Sequence, residues 1–235
     1  MEGRDKPKEM TLFGHLRELR DRLIRVAIAL VVTTLFSLIF ARRALKLLIA
    51  PMAGNRPQVL QPTGGIVSYF KVAFVLGLVL AMPVIIYQLV RFVMPGLTRQ
   101  ENRYLYIVVP GATISFAVGV AFAGLVMLPF SIRYLQGFMS DVFTYSFEIN
   151  RYISFVTSVL LWVGLSFETP LIIFFLAKMG VVSVQLLTRS RKYAILIVAI
   201  LAAVITPTPD PFNMLIVMAP LILLYELGVL LARLA

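Results

Sequence analysis

Four long apolar runs constrain this chain more than any other feature. Leu23–Phe40 carries one charge, Arg25; Val72–Val90 and Tyr104–Ile132 carry none; Tyr152–Ala177 carries only Glu168. A hydrocarbon core of roughly 30 Å needs about 20 helical residues, so each run predicts a spanning helix. Lipid offers no water to bond a free amide, which restricts an apolar chain of this kind to helices or a closed barrel. The runs are too long and too unbroken for barrel strands. After Lys192 the pattern changes. Tyr193–Ile205 gives about 20 Å of helix before the turn-rich TPTPDPFN. Phe212–Ala232 follows, interrupted by Glu226, which lies close enough to the end to reach the surface. The reading is an all-α integral membrane protein with six helices, the last two a stunted hairpin that thins the bilayer locally.

Composition agrees, because 60% of the 235 residues are hydrophobic. The net charge of +11 could suggest nucleic acid, but the basic residues sit at the ends of apolar runs rather than along one face. No nucleic-acid partner is expected. There is no cysteine and one histidine, His15. That leaves no disulfide, no credible metal site and no Ser-His catalytic pair. No cofactor, metal or catalytic residue is predicted.

The expected layout is one polytopic membrane domain over 1–235. An interfacial helix covers about 11–22, and the spans cover about 23–40, 66–94, 104–132, 151–178, 193–205 and 212–232. The first run is long for a signal-peptide core and lacks a small-x-small cleavage site, so it is read as retained. Fifteen Lys/Arg residues fall on the N-terminal side of the membrane and seven on the other. The positive-inside rule then puts both termini in the cytoplasm. The piece ARRALKLLIA, stopped by Pro51, is amphipathic and is expected along the outer surface. The two three-helix halves show no internal repeat.

Leu12, Leu16, Leu19 and Leu23 form one apolar stripe, so the first helix starts before the bilayer core. Arg17, Glu18, Arg20, Asp21 and Arg22 take its other faces. Glu18 with Arg22 and Asp21 with Arg25 are acid-first i,i+4 pairs, each contributing about 0.2–0.5 kcal/mol. The alternative is an exposed carboxylate that receives a cation. Glu101 is the only acid in RFVMPGLTRQENRY and shares a face of the membrane with Glu18. Two such acids could clamp two guanidinium groups by bidentate hydrogen bonds. Glu168, in GLSFETPLIIFF, lies at membrane depth, where a carboxylate is a functional-site hypothesis by default. Pro170 frees a backbone carbonyl beside it, so this patch must face protein or a water-filled cavity. Pro51, Pro83, Pro95, Pro110, Pro129 and Pro220 read as kinks and stops. Asp210 reads as a turn residue capping the last helix.

Taken together, HLRELRDRL, Pro51, RFVMPGLTRQE, YISFV…GLSFETP and TPTPDPFN…APLILLYELG resemble the TatC family, the multi-span core of the twin-arginine protein translocase. The resemblance runs in the same order from about residue 11 to the end. It implies six helices in a cupped arrangement. It also implies a receptor for signal peptides with a twin-arginine motif, in a prokaryotic cytoplasmic (inner) membrane. Such proteins work with single-span partners of the TatA and TatB types, self-associate, and export folded precursors on the proton-motive force. By the same resemblance, Glu18 and Glu101 contact the arginine pair. Arg20 is another sensitive position, and Phe92 and Pro95 shape the site. Glu168 contacts partner helices from the concave surface, and Pro51 and Asp210 match outer-loop positions. The chain departs from the family before span two, where QPTGGIVSYF has no acid. Glu101 is followed by Asn102 and Arg103 rather than by two basic residues. A competing reading is a proton-coupled small-molecule transporter using Glu168. An intramembrane hydrolase lacks a nucleophile–base pair.

Overall fold

The structure, a computed structural model, describes residues 12–52, 57–93, 102–142, 145–206 and 211–234. They form α1 (Leu12–Ile49), α2 (Gly64–Val93), α3 (Asn102–Phe122), α4 (Leu128–Gly137), α5 (Ile149–Ser166), α6 (Thr169–Lys178), α7 (Val184–Arg189), α8 (Arg191–Ile205) and α9 (Pro211–Ala232). Among the described residues there is no strand, only an isolated bridge between Gln58 and Glu148. A π-helical stretch over Ala123–Met127 joins α3 to α4 in one continuous helix, while a two-residue turn at Phe167 and Glu168 breaks α5 from α6. Among the described residues, five helices or helix pairs are long and apolar enough to cross a membrane. α8 has 15 residues, about 22 Å of helix, and remains the short one.

α1 is a single helix of 38 residues, about 57 Å long. No break separates the charged N-terminal segment from the span. The piece starting ARRALKLLIA does not lie along the outer surface; it continues α1 to Ile49. Nothing there stops the helix, because every residue from Ala41 to Ile49 tolerates helical dihedrals. Ala41 is fully buried, so this turn packs into the protein rather than onto a surface. The chain then tightens into a 3₁₀ turn, Ala50–Met52, that contains Pro51.

α1 rests mainly on α2. Ile24, Ile28, Val31, Leu35 and Ile39 stay exposed on its other side, a lipid-facing surface. α2 packs on α3 and α5, α5 on α3, and α6 on α9, which carries α8 at the far edge. The buried core centres on α5, through Ile153, Val156, Val159 and Val163. Polar ties fasten the end opposite Glu18. Tyr69 donates to the Leu38 carbonyl and Tyr152 to that of Leu48, both at 2.6 Å. Lys71 Nζ lies 2.7 Å from Ser154 Oγ, and Ser68 Oγ 2.8 Å from Asn150 Oδ1. In lipid such groups have no water to fall back on, so they bind helix to helix.

Glycines set the closest approaches. A Cβ on Gly77 would sit 2.6 Å from Thr34 Cα and 2.7 Å from Thr34 N, against α1 backbone. Gly77→Ala is therefore expected to separate α1 from α2 and to cost about 1–3 kcal/mol. The thermal midpoint in detergent should fall clearly. Gly65→Ala, which meets nothing within 4 Å, serves as the control and should leave the midpoint unchanged or slightly raised.

Candidate functional site at the N-terminal ends of the spans

His15, Glu18 and Arg22 follow at three and four residues, so they share one face of α1. That face meets the last turns of α2. The His15 ring stacks on Phe92 with centroids 4.4 Å apart and planes at 17°. Seven residues further along α1, Arg22 Nη1 donates to Gln88 Oε1 at 3.3 Å. Glu18 lies between these two contacts. Arg22 donates to Glu18 Oε1 from Nε, at 3.0 Å, and also from Nη2. Glu18 Oε2 is buried and has no hydrogen-bond partner among the described residues. Arg22 and Gln88 are each only 8% exposed.

The leucine stripe of this segment faces away. Leu16 and Leu23 are exposed and, with Leu19, Ile24 and Ala27, line a shallow apolar groove on the outside of α1. An exposed stripe beside exposed arginines is suited to the membrane interface. Arg20 is on that outer side too. Its Nε and Nη2 donate to Asp21 Oδ1 at 3.0 and 2.8 Å. The expected Asp21–Arg25 pair gives way to this neighbour contact, because the long Arg20 stem wraps round the helix in solvent. Such an exposed pair contributes little in either form.

Pro95, Glu101 and Asp210 lie outside the described residues. Phe92 is brought to Glu18 through His15, whereas Arg20 is not part of the Glu18 cluster. Pro51 sits at the opposite end of α1. At the Glu18 end, the α6 terminus is shaped by Gly180, whose φ of +72° permits a left-handed cap. Val181 N donates to the Leu176 carbonyl and Gly180 N to that of Ala177, both at 2.9 Å. Ser183 then caps α7 by accepting from Leu186 N. Glu226 is held by Arg191 at 2.6 Å, tying α9 to the start of α8.

Glu168 stands where α5 stops and α6 begins. Pro170 has no N–H to continue α5, but it fits the first turn of α6. The turn is tight: Glu168 N donates to the Leu165 carbonyl at 3.0 Å and Ile172 N to that of Glu168 at 2.9 Å. Glycines let neighbouring helices close on it. A Cβ on Gly119 would meet Phe167 at 2.8 Å, and one on Gly164 would meet Phe116 at the same distance. Ser115 Oγ of α3 donates to the Phe167 carbonyl at 2.7 Å. Glu168 is buried, as its cost in lipid requires, and its Oε1 has no hydrogen-bond partner among the described residues.

The molecule is a polytopic helical membrane protein with a guanidinium-paired acid at one end and a buried acid at a helix break. The family model described as "Sec-independent protein translocase protein (TatC)" matches residues 14–220. The chain is 36% identical over 231 residues to the Sec-independent protein translocase protein TatC of Carboxydothermus hydrogenoformans, covering 97% of this chain and 94% of that one. With the TatC of Aquifex aeolicus it shares 34% identity, covering 96% of both. A crystal structure described as the twin arginine translocase receptor TatC superimposes with a TM-score of 0.85 at 33% identity, covering 94% of this chain and 98% of that one. The chain belongs to the TatC family.

Sequence reasoning did not single out Gln88, the His15–Phe92 stack or the Ser115 bond. Gln88 had a usable signal, since it is an amide at the end of an otherwise apolar span. The other two join residues far apart in the chain and left no local trace. Ser115→Ala is expected to strip the Phe167 carbonyl of its donor and to lower stability by about 1–2 kcal/mol. A thermal midpoint equal to that of the unaltered protein would contradict this.

Proposed function

We propose that this protein is the receptor subunit of a twin-arginine translocase. It binds twin-arginine signal peptides at the cytoplasmic face so that folded precursors can be exported. The family membership supports the class of activity. The observation that carries the site is Glu18, whose second carboxylate oxygen is buried beside Phe92's end of α2 and lacks a partner among the described residues. A carboxylate poised in that way accepts a guanidinium N–H, and a charge-assisted bond of this kind is roughly twice as strong as a neutral one.

In this reading Glu18 and Glu101 each take one arginine of the pair. Phe92 and Pro95 shape the loop that frames them, and Arg20 contributes from the flank. The chain is one polytopic domain of a prokaryotic cytoplasmic (inner) membrane, with both termini cytoplasmic, supported by the excess of Lys/Arg at the Glu18 end. Most of that end is basic and repels a cationic peptide diffusely, so two placed acids give it one favoured docking point. Glu168, at the α5–α6 break, is the contact for single-span partners of the TatA and TatB types. Pro51 and Asp210 shape the outer turns, and copies of the chain self-associate.

Replacing Glu18 and Glu101 with alanine is expected to abolish photocrosslinking to a twin-arginine precursor while membrane insertion stays normal. Crosslinking at the unaltered level would refute the assignment of these residues.

A further inference from the structure

Glu18 does not offer two free oxygens. Arg22 occupies Oε1 through Nε and Nη2, and among the described residues Oε2 alone is left buried without a partner. A bidentate grip on an incoming guanidinium needs both. The seat is therefore half filled by the chain's own arginine. An ordinary i,i+4 pair would be exposed and weakly held. This one is different: Arg22 is buried, and its third nitrogen rests on Gln88 Oε1, itself buried, at 3.3 Å.

We propose that Arg22 is an internal stand-in for the ligand's guanidinium, and that Gln88 is the post that keeps it when the ligand arrives. The inference rests on the reading of Glu18 as a receptor acid. On docking, the incoming guanidinium takes both oxygens of Glu18. Arg22 releases Oε1 and turns onto the Gln88 carbonyl oxygen, which already holds Nη1. It thus keeps an acceptor and is not left as a bare buried charge. The exchange replaces one guanidinium by another, and the cost of opening the internal pair falls on every cationic ligand alike. An ammonium is a point charge without the planar fork, so it cannot match the two bonds that Arg22 gives up. Arg22 weakens both ligands by the same factor, so at a given peptide concentration the lysine pair, already the weaker, loses occupancy first.

The test is a double-mutant cycle on the full chain in lipid nanodiscs. The probes are fluorescent synthetic peptides bearing an Arg-Arg or a Lys-Lys pair before an apolar segment. If the internal pair keeps the seat closed nine-tenths of the time, Arg22→Met should tighten Arg-Arg binding about tenfold. The Lys-Lys peptide should gain by the same factor, because opening the seat costs both ligands alike. Gln88→Leu leaves the Glu18–Arg22 pair but removes the post, and should weaken Arg-Arg binding several-fold. In the Arg22→Met background Gln88→Leu should do nothing, because no arginine remains to hold. Arg22→Lys, which keeps the charge, should fall between the parent and Arg22→Met, and covers the case in which the methionine variant does not fold. Weaker Arg-Arg binding in both folded Arg22 variants overturns the proposal, as does an equal effect of Gln88→Leu with and without Arg22. If Glu18→Ala leaves binding intact, the receptor reading fails and this inference with it. If Glu18→Ala weakens binding but the cycle is additive, only this inference fails.

Discussion

In a bilayer core, a backbone amide that loses its helical partner finds no water. This constraint governs the architecture, because the chain can bend or stop only where another group supplies the missing bond. The α5–α6 break shows how. Pro170 ends the α5 ladder, the turn closes with tighter bonds inside itself, and Ser115 on α3 donates to the Phe167 carbonyl. Gly119 and Gly164 allow α3 to come close enough for that bond to form. The break is stable only as part of a three-helix contact, and Glu168 is buried because it belongs to the same contact.

The two ends of the molecule are organised differently. At the end opposite Glu18, tyrosine hydroxyls, Lys71 and Ser68 join α1, α2 and α5 by direct bonds. Steric closeness continues that junction inward, with α1 backbone laid against Gly77. At the Glu18 end, among the described residues, α1 meets α2 through a ring stack and a guanidinium–amide bond. The length of α1 connects the two: a continuous helix carries Glu18 on the same rigid rod that is anchored far below.

The spans were legible because hydrophobicity over about 20 residues is a local property. The shortness of α8 and the backbone carbonyl freed beside Pro170 were legible for the same reason, since length and proline act locally. The continuation of α1 through ARRALKLLIA was not. Its amphipathic pattern fits an interfacial helix and a packed helix end equally, and only the fit of Ala41 into the protein decides between them. Likewise, Asp21 had two arginines within reach, and solvent-exposed pairs are too weak for spacing to choose between them.

By itself the sequence determined a six-helix membrane chain, its family, and the two acids, Glu18 and Glu168, that stand out against their surroundings. It also foresaw the Glu18–Arg22 pair, since i,i+4 neighbours on a helix meet whatever the fold. The tertiary structure decided what that pair means. Only the packing of α2 on α1 buries Arg22, brings Gln88 to its free nitrogen across 66 residues of chain, and leaves one oxygen of Glu18 buried without a partner among the described residues. The physical reason is that burial and the geometry of a second acceptor depend on which helices touch, and no local pattern along one helix records that.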